Sequence, residues 1–450
     1  MRVPASTETE EHDMDPLPSR RAARLIFTLA SLVPAVALAL APLPAAKPEE
    51  VGMSSKKLAH LGEVVAKEVA DGSFRGAVVM VARKGKLVYH GAFGMQTPAT
   101  KMSEDSIFRI YSMTKPLATV GAMMLVEEGR LQLTDPVGKW LPGFDKLQVS
   151  VPSKDASGQT TYALVPADRP MTVQDLMRHT AGLAYGEITQ NAPVKEGLTK
   201  AGLYRANLDY EARGVTPKEE VERMAQIPLA FQPGTTWHYS LAVDVLGRVV
   251  EAASGMRLAD FLEERLFKPL KMVDTAFWVP APKMSRLAET MEKDRFADRG
   301  FPLIDVSAVP KNDSGGAGAV STASDYLRFC QMLMNGGTLE GARVLSRTTV
   351  RLMTSDHLGT SIATPVQPGE LLLGTKGYTF GLGFAVRQGD GIAGVEGSAG
   401  EFMWAGYSGT YFWVDPKEQV TAVFLTQAAS PNRAYFRKLV KNLVYQAIVD

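Results

Sequence analysis

Hydrophobic positions follow two different periods along this chain. Short runs rich in β-branched and aromatic residues predict strands near both ends, at 76–82, 87–91, 378–386, 401–414 and 420–426. The first two runs flank a charged turn and predict a β-hairpin, and the last run precedes a predicted closing helix at 433–449. Between these ends, apolar residues recur at helical spacing. The pattern predicts an α/β fold with strands at both ends and helices between them.

The most apolar helical run follows Pro116. Residues 117–126 carry apolar side chains almost all the way round, which is typical of a helix buried inside a large domain. Pro116 fits the first turn, where its missing N–H costs nothing, and Gly129 is a plausible end. A buried helix that begins at or just after Ser112 therefore carries Ser112 and Lys115 in its first turn, on one face.

This spacing places a hydroxyl and an amine together at a helix N-terminus. The helix dipole there disfavours an ammonium ion and stabilises negative charge, so a neutral lysine would stand beside a serine that could attack. Ser112-Met113-Thr114-Lys115 also fits a helix cap with a solvated lysine, and the tetrad alone leaves both interpretations open. An amine at the head of a buried helix has to be paired or functional, which favours chemistry.

Composition narrows the class of protein. The chain has 450 residues, 45% of them hydrophobic, which is enough for a sizeable core and favours two lobes. The formal net charge of +1 gives no global bias toward nucleic acid or an anionic membrane. A single cysteine, Cys330, excludes an intramolecular disulfide and a cysteine-built metal site, and its apolar neighbours predict a core position. No metal, cofactor or obligate protein partner is implied.

The N-terminal residues have the layout of an export leader. Arg20, Arg21 and Arg24 precede an apolar segment at 25–41, and small residues follow it, with cleavage expected near Ala45 or Ala46. We therefore expect an exported, periplasmic or secreted protein. The apolar segment is close to the lower length limit for a membrane span, so an uncleaved anchor is the alternative.

Several other segments carry weaker signals. Residues 152–168 are polar and are expected to form a loop. Thr172 and Asp175 form a capping-box pattern that opens a helix through Met177. His179 follows that helix and is either a general base or, more commonly for such a position, a residue that closes the helix by hydrogen bonding.

Three motifs occur in an order that defines a resemblance. Ser112-Met113-Thr114-Lys115, Trp237-His238-Tyr239-Ser240 and Trp404-Ala405-Gly406 follow the order and rough spacing of the serine β-lactamase-like hydrolases. The set resembles the family VIII carboxylesterases, over roughly residues 50–450. The resemblance implies a β-lactamase/penicillin-binding-protein-like fold, an antiparallel sheet flanked by helices with a mostly helical lobe inserted. We expect these segments: leader 1–46, α/β lobe 47–108 and 336–450, helical lobe 109–335, and an active site in the cleft between the lobes.

The resemblance also implies roles for individual residues. Ser112 would be the nucleophile that forms an acyl-enzyme, and Lys115 and Tyr239 would share the general-base work. The oxyanion hole would use the backbone N–H groups of Ser112 and Tyr407. Contacts with substrate are expected from Tyr111, Leu241, Trp404, Ala405, Gly406 and Tyr407.

Two departures from the β-lactamase pattern concern the substrate. Leu241 stands where class C β-lactamases have the asparagine of Tyr-x-Asn, and Trp404-Ala405-Gly406 replaces Lys-Thr-Gly. Both changes replace a polar group and favour an uncharged, apolar ester. The resemblance therefore implies a carboxylesterase for short-chain esters with weak or no β-lactam hydrolysis. The alternatives are an acyltransferase of the same fold, a β-lactamase or DD-peptidase, and an envelope binding protein that is acylated at Ser112 without turnover.

Overall fold

A computed structural model describes residues 42–205, 208–210 and 212–450. Most of the expected leader lies outside the described residues. The α-helices are α1 (Ser55–Ala70), α2 (Thr114–Glu127), α3 (Val173–Met177), α4 (Ala192–Lys200), α5 (Pro217–Met224), α6 (Ala242–Ser254), α7 (Leu258–Leu262), α8 (Ala323–Met334), α9 (Arg347–Met353), α10 (Pro368–Leu373) and α11 (Arg433–Tyr445). The strands are β1 (Gly76–Arg83), β2 (Lys86–Gly94), β3 (Phe108–Arg109), β4 (Gln148–Lys154), β5 (Thr160–Pro166), β6 (Tyr204–Arg205), β7 (Leu208–Tyr210), β8 (Val320–Ser321), β9 (Thr338–Leu339), β10 (Ala342–Arg343), β11 (Tyr378–Phe380), β12 (Ala385–Arg387), β13 (Phe402–Ala405), β14 (Tyr411–Asp415) and β15 (Val420–Thr426).

The main sheet joins the two ends of the described chain. It has seven antiparallel strands in the order β11-β12-β13-β14-β15-β1-β2, so β15 pairs with β1 although more than 300 residues separate them. The predicted hairpin is present, with its turn at Lys84 and Gly85, which both have positive φ angles (52° and 75°). The longer predicted strand at 401–414 is two strands, β13 and β14, with a turn between them.

Helices cover both faces of this sheet. Adjacent residues on a strand point to opposite faces. On β14, the ring of Phe412 contacts Tyr326 of α8 at 4.9 Å between centroids, whereas Trp413 stacks on Tyr445 of α11 at 6.4 Å. Both strand residues are fully buried, and the sheet therefore forms the middle of three layers. Cys330 of α8 is buried in this core, as its neighbours in sequence predict.

The central helix α2 is buried along nearly its whole length, as its sequence predicts. Its residues from Thr114 to Leu125 are buried, and it packs against α6 and α7. It ends at Glu127, and Gly129 follows with a φ of 69°. Helix α8 falls within the segment expected to form the helical lobe but packs on the sheet strands β1, β14 and β15. The division into two lobes stays a prediction.

The expectation of a loop at 152–168 is wrong. Strands β4 and β5 pair through seven residues of each strand and form a hairpin. Most of their side chains are exposed on both faces, so the hairpin lacks the apolar and polar alternation by which a half-buried strand is recognised. In the described part of the chain, no helix is both long and apolar enough to span a bilayer.

Candidate active site

Ser112 lies in a 3-10 turn, Tyr111–Met113, that runs directly into α2. Tyr111 has a φ of 45°, which is uncommon for a non-glycine residue and costs backbone energy. The surrounding chain holds this turn in place, because the Thr114 hydroxyl donates to the Tyr111 carbonyl at 2.6 Å and the Tyr326 hydroxyl donates to the Met113 carbonyl at 2.8 Å. The serine hydroxyl is thereby presented from a fixed, partly exposed turn.

The structure brings Ser112, Lys115 and Tyr239 together. The Tyr239 hydroxyl lies 2.6 Å from the Ser112 hydroxyl oxygen, and the Lys115 amine nitrogen lies 3.2 Å from the same atom. Lys115 is 1% exposed, whereas Ser112 and Tyr239 are half-buried. A hydroxyl within hydrogen-bond reach of two possible proton acceptors is the arrangement expected of an activated nucleophile.

Lys115 also contacts two groups that the sequence does not single out. The Lys115 amine donates to the Tyr185 hydroxyl at 3.0 Å and to the Gly316 carbonyl at 2.9 Å. Tyr185 comes shortly after His179-Thr180-Ala181-Gly182-Leu183, and Gly316 belongs to the glycine-rich segment 314–318. Only the fold shows that these two segments converge on the amine.

A cavity of about 280 Å³ opens beside Ser112. Its lining contains Tyr111, Ala405, Gly406 and Tyr407, as the sequence predicts for substrate contacts. The remaining lining residues are Ser112, Tyr185, Glu187, Ile188, Tyr239, Pro302, Ile304, Ala317, Leu371, Leu372, Arg433 and Arg437. Apolar walls and a few polar groups around one hydroxyl suit a small organic substrate.

Trp404 and Leu241 are placed differently from the prediction. Both are buried, at 0% and 2% exposure, and neither belongs to the cavity lining. The Trp404 ring packs behind Tyr239, with centroids 5.4 Å apart, and against Phe380 at 5.3 Å. Strand β13 orients this residue, because Trp404 pairs with Phe412 and shares its buried face of the sheet. Trp404 supports Tyr239 rather than forming an aromatic wall for substrate.

The cavity also contains cations, although the motifs in the sequence favour an uncharged, apolar ester as its substrate. Helix α11 contributes Arg433 and Arg437 to the lining, one turn apart. Arg437 is 2% exposed and donates to the Gly406 carbonyl at 2.6 Å and to the Leu372 carbonyl at 3.0 Å. The strand that carries Trp404 lacks the lysine of Lys-Thr-Gly. The cations in this cavity come instead from helix α11, which lies outside the three motifs.

Of the two roles considered for His179, the structure shows the closing of helix α3: the residue has a φ of 57°, and its backbone N–H donates to the Leu176 carbonyl at 3.4 Å. The His179 ring is buried, and Nδ1 lies 3.3 Å from the Ser240 hydroxyl, with the Tyr239 and Phe380 rings packed edge-to-face against it. Burial, reinforced by Lys115 and His238, holds the pKa of His179 well below its usual range. The ring is therefore neutral and belongs to the packing behind Tyr239.

The chemistry available at Ser112 is that of a hydroxyl, an amine and a phenol in mutual contact. Within 42–205, 208–210 and 212–450, no group of three or more histidine, cysteine, aspartate or glutamate side chains is arranged to hold a metal ion. This fold and this site together define a serine hydrolase.

Comparison with known proteins gives the family. The chain belongs to the Beta-lactamase family, whose profile matches residues 61–445. Protein Rv1367c of Mycobacterium tuberculosis is 35% identical, over 80% of this chain and 88% of that protein. Esterase EstB of Burkholderia gladioli is 29% identical, over 79% of this chain and 86% of that protein. The structure of EstCE1, described as a hydrolase with promiscuous acyltransferase activity, is 26% identical and superimposes with a TM-score of 0.68, covering 87% of this chain and 99% of EstCE1.

These findings confirm two of the predictions. The fold is that of the β-lactamase and penicillin-binding-protein group, with an antiparallel sheet and flanking helices. The resemblance to family VIII carboxylesterases is also confirmed, and it supports a serine hydrolase of esterase or acyltransferase type. The predicted roles of single residues rest on the geometry of the site.

Proposed function

We propose that this protein is a serine carboxylesterase that hydrolyses short-chain carboxylic esters through an acyl-enzyme on Ser112. The observation that carries the proposal is the pair of contacts at the Ser112 hydroxyl, 2.6 Å to Tyr239 and 3.2 Å to Lys115. The similarity to Esterase EstB supports the choice of an ester, and the apolar walls of the cavity suit an uncharged acyl chain.

The proposed reaction has two steps. The Ser112 oxygen bonds to the ester carbonyl carbon while its proton passes to Tyr239 and Lys115, and the bond to the alkoxide then breaks as Tyr239 returns the proton to the leaving oxygen. In the second step, water adds to the acyl carbon while its proton passes to Tyr239 and Lys115, and the bond to the Ser112 oxygen then breaks as that oxygen regains a proton and the acid leaves. The N–H groups of Ser112 and Tyr407 would stabilise the carbonyl oxygen as it becomes negative.

The catalytic assignment is tested by substitution and labelling. Ser112→Ala should abolish ester hydrolysis, and Lys115→Ala and Tyr239→Phe should each lower kcat by orders of magnitude, because residues that act as one unit fail together.

Ser408→Ala is the matched control, since this serine is buried and its hydroxyl donates to the Arg109 carbonyl. A serine-directed phosphonate should label Ser112. Labelling at Ser240 or Ser408, or an active Ser112→Ala enzyme, would overturn the assignment.

The substrate class is tested with a panel of chromogenic esters of rising acyl length beside one chromogenic cephalosporin. We expect kcat/KM for a butyrate-like ester to exceed that for the cephalosporin by at least about a hundredfold, roughly 3 kcal/mol in transition-state binding. The cavity offers Arg433 and Arg437 to a carboxylate, but Arg437 already donates to two carbonyl groups. Equal efficiency on both substrates would favour a β-lactamase, and a burst of product without turnover would favour an acylated binding protein.

Acyl transfer is the second candidate, and the promiscuous acyltransferase activity of EstCE1 favours it. The acyl-enzyme would then be opened by an alcohol instead of water, in the same cavity. Adding primary alcohols during ester hydrolysis tests this, because transfer yields a new ester while release of the first alcohol continues. Formation of free acid alone at high alcohol concentration would rule transfer out.

We further propose that the protein is exported after cleavage of its leader. The support is the order of basic, apolar and small residues before position 47. Mature protein recovered from the cell envelope should begin between about residues 42 and 50. Protein that retains residues 25–41 in a membrane pellet would favour the uncleaved anchor.

A further inference from the structure

Asp244 is a buried carboxylate that has no part in the roles proposed for Ser112, Lys115 and Tyr239. It is 1% exposed and occupies the third position of α6, where the helix dipole favours negative charge. Oδ1 accepts hydrogen bonds from the Ser314 hydroxyl at 2.5 Å and from the Gly316 N–H at 3.1 Å. Oδ2 has no hydrogen-bond partner among the residues the structure describes. Such a group is costly to bury without a reason.

The glycine-rich segment 314–318 is shaped around this carboxylate. A Cβ atom on Gly316 would lie 2.2 Å from Asp244 Oδ2, and one on Gly315 would lie 2.5 Å from the Val243 carbonyl. Any side chain at either position would push the segment away from α6. The glycines therefore permit close approach of the loop to Asp244.

One peptide group connects this carboxylate to Lys115. The Gly316 carbonyl accepts a hydrogen bond from the Lys115 amine at 2.9 Å. The N–H of the same peptide belongs to Ala317 and donates to the Ser314 hydroxyl oxygen at 2.9 Å, and that hydroxyl donates to Asp244. Hydrogen bonds in series polarise one another, so negative charge on Asp244 makes the Gly316 carbonyl a stronger acceptor.

Lys115 needs a strong hydrogen-bond acceptor or a negative charge nearby when it takes up a proton. In the described residues, its amine contacts Ser112, Tyr185 and the Gly316 carbonyl, and no carboxylate lies within ion-pair distance of it. A buried ammonium without a counter-charge is strongly disfavoured. Burial raises the pKa of Asp244, and the nearby Lys115 opposes that rise.

We propose that Asp244 is a positioning residue that supplies the negative charge for Lys115 through Ser314 and the Gly316–Ala317 peptide. The inference rests on the proposed function, in which the Ser112 proton passes to Tyr239 and Lys115. The charge on Asp244 stabilises that proton on Lys115 while the acyl bond forms, and Tyr239 then delivers it to the departing alcohol.

Other charged or titratable groups face the two ends of this connection. Tyr185, Tyr239 and His179 surround Lys115, and the low pKa of His179 keeps its ring neutral. Arg248 lowers the pKa of Asp244, and Asp244 in turn raises the pKa of Glu220. Arg248 also lies 3.5 Å from Glu220 and 3.1 Å from Glu251, so its charge is shared. Asp244 is therefore the carboxylate that hydrogen bonds connect to Lys115.

The acid limb of the kcat/KM profile tests this role, with a chromogenic butyrate ester as substrate. Asp244→Asn keeps an acceptor oxygen for Ser314 but removes the charge. The catalytic base should then lose its proton more easily, and the midpoint of the acid limb should move to lower pH by about one unit or more. Ser314→Ala breaks the connection while Asp244 keeps its charge, and should move the midpoint in the same direction by a smaller amount.

Asp313→Asn is the matched control. Asp313 is a buried carboxylate next to Ser314, but its oxygens accept from Arg257 and from the Ala259 N–H. Loss of the Asp313 charge should leave the midpoint of the acid limb at its wild-type pH. A wild-type midpoint in both Asp244→Asn and Ser314→Ala overturns the inference, and if Asp244→Asn does not fold, the midpoint of Ser314→Ala decides. Failure of the proposed function is recognised separately, by activity or phosphonate labelling that does not depend on Ser112.

Discussion

The guanidinium of Arg437 donates a hydrogen bond of 2.6 Å to the Gly406 carbonyl. The N–H of that same peptide group belongs to Tyr407, the residue whose backbone is proposed to stabilise the oxyanion. A cation at the carbonyl end of a peptide withdraws charge and makes its N–H a stronger donor. On that proposal, helix α11 would act on the reaction through this one backbone group.

Arg437→Met should lower kcat by about tenfold or more with a smaller change in KM, because the lost polarisation acts mainly when the oxyanion forms. Steady-state kinetics on a butyrate ester measure the split. Arg433→Met is the matched control, since Arg433 lies one turn earlier on α11, lines the same cavity and donates to the Ser430 carbonyl. Wild-type kcat in Arg437→Met, in protein that is shown to be folded, would contradict the argument.

The position of Trp404 behind Tyr239 leads to a second prediction. Trp404→Phe keeps a ring against Tyr239 and loses no hydrogen bond, since the indole N–H has none among the described residues, so kcat should stay within about threefold of wild type. Trp404→Ala should cost about 3–5 kcal/mol of unfolding free energy and lower kcat, because Tyr239 loses its support. Urea denaturation and steady-state kinetics provide the two readouts.

Trp404→Lys separates the two possible positions of this side chain. An indole that lined the cavity could be replaced by lysine without unfolding the protein, and the new cation would improve cephalosporin hydrolysis. A fully buried Trp404 makes the same change place an ammonium in the core, and we expect little folded protein. A soluble, stable Trp404→Lys enzyme would show that the buried position is wrong.

The contacts that the sequence predicts are those between residues that lie close together along the chain. Ser112 and Lys115 are three positions apart at the start of an apolar helix, so their contact follows from helical geometry. Tyr239 is more than 120 residues away, and only the resemblance to a family of known chemistry selected it. Gly316 and Arg437 reach the site through tertiary packing of later segments, and no spacing in the sequence encodes their contacts.

The fold divides in the same way between predictable and unpredictable parts. Strands β1 and β15 could be predicted from the sequence because continuous apolar runs are typical of strands buried on both faces. The β4–β5 hairpin was not, because its pairing is carried by backbone hydrogen bonds while its side chains stay largely exposed. Trp404 was correctly placed on a strand, but the face of the sheet that it occupies depends on its register with Phe412.

Glu220 leads to a prediction about stability and pH. It is 1% exposed, and burial raises the pKa of its carboxyl group to about 8, although Arg248 opposes the rise. The native state therefore binds a proton that the unfolded chain has already released above about pH 4.5. The unfolding free energy that this group contributes falls as pH rises from about 4.5 toward 8.

Glu220→Gln removes this titration and should flatten the loss of stability with rising pH. Relative to wild type, the variant should gain unfolding free energy between pH 5 and pH 8, with a slope of up to about 1.4 kcal/mol per pH unit. Urea denaturation of both proteins at several pH values measures the difference. A difference that stays constant with pH would show that Glu220 is ionised throughout.

Tyr185 provides the last prediction, because its hydroxyl accepts a hydrogen bond of 3.0 Å from Lys115 inside the active-site cavity. Tyr185→Phe removes one of the three hydrogen bonds that the structure shows for the amine and preserves the ring that packs beside Tyr239 at 5.4 Å. The amine should then sample more positions, and kcat should fall by about tenfold, because one acceptor is missing when Lys115 takes up the Ser112 proton. Tyr239→Phe removes a hydroxyl that contacts Ser112 directly, so its loss in kcat should be larger by at least another tenfold. Steady-state kinetics on the butyrate ester rank the two variants. If Tyr185→Phe is the more damaging of the two, Tyr185 rather than Tyr239 exchanges the proton with Ser112.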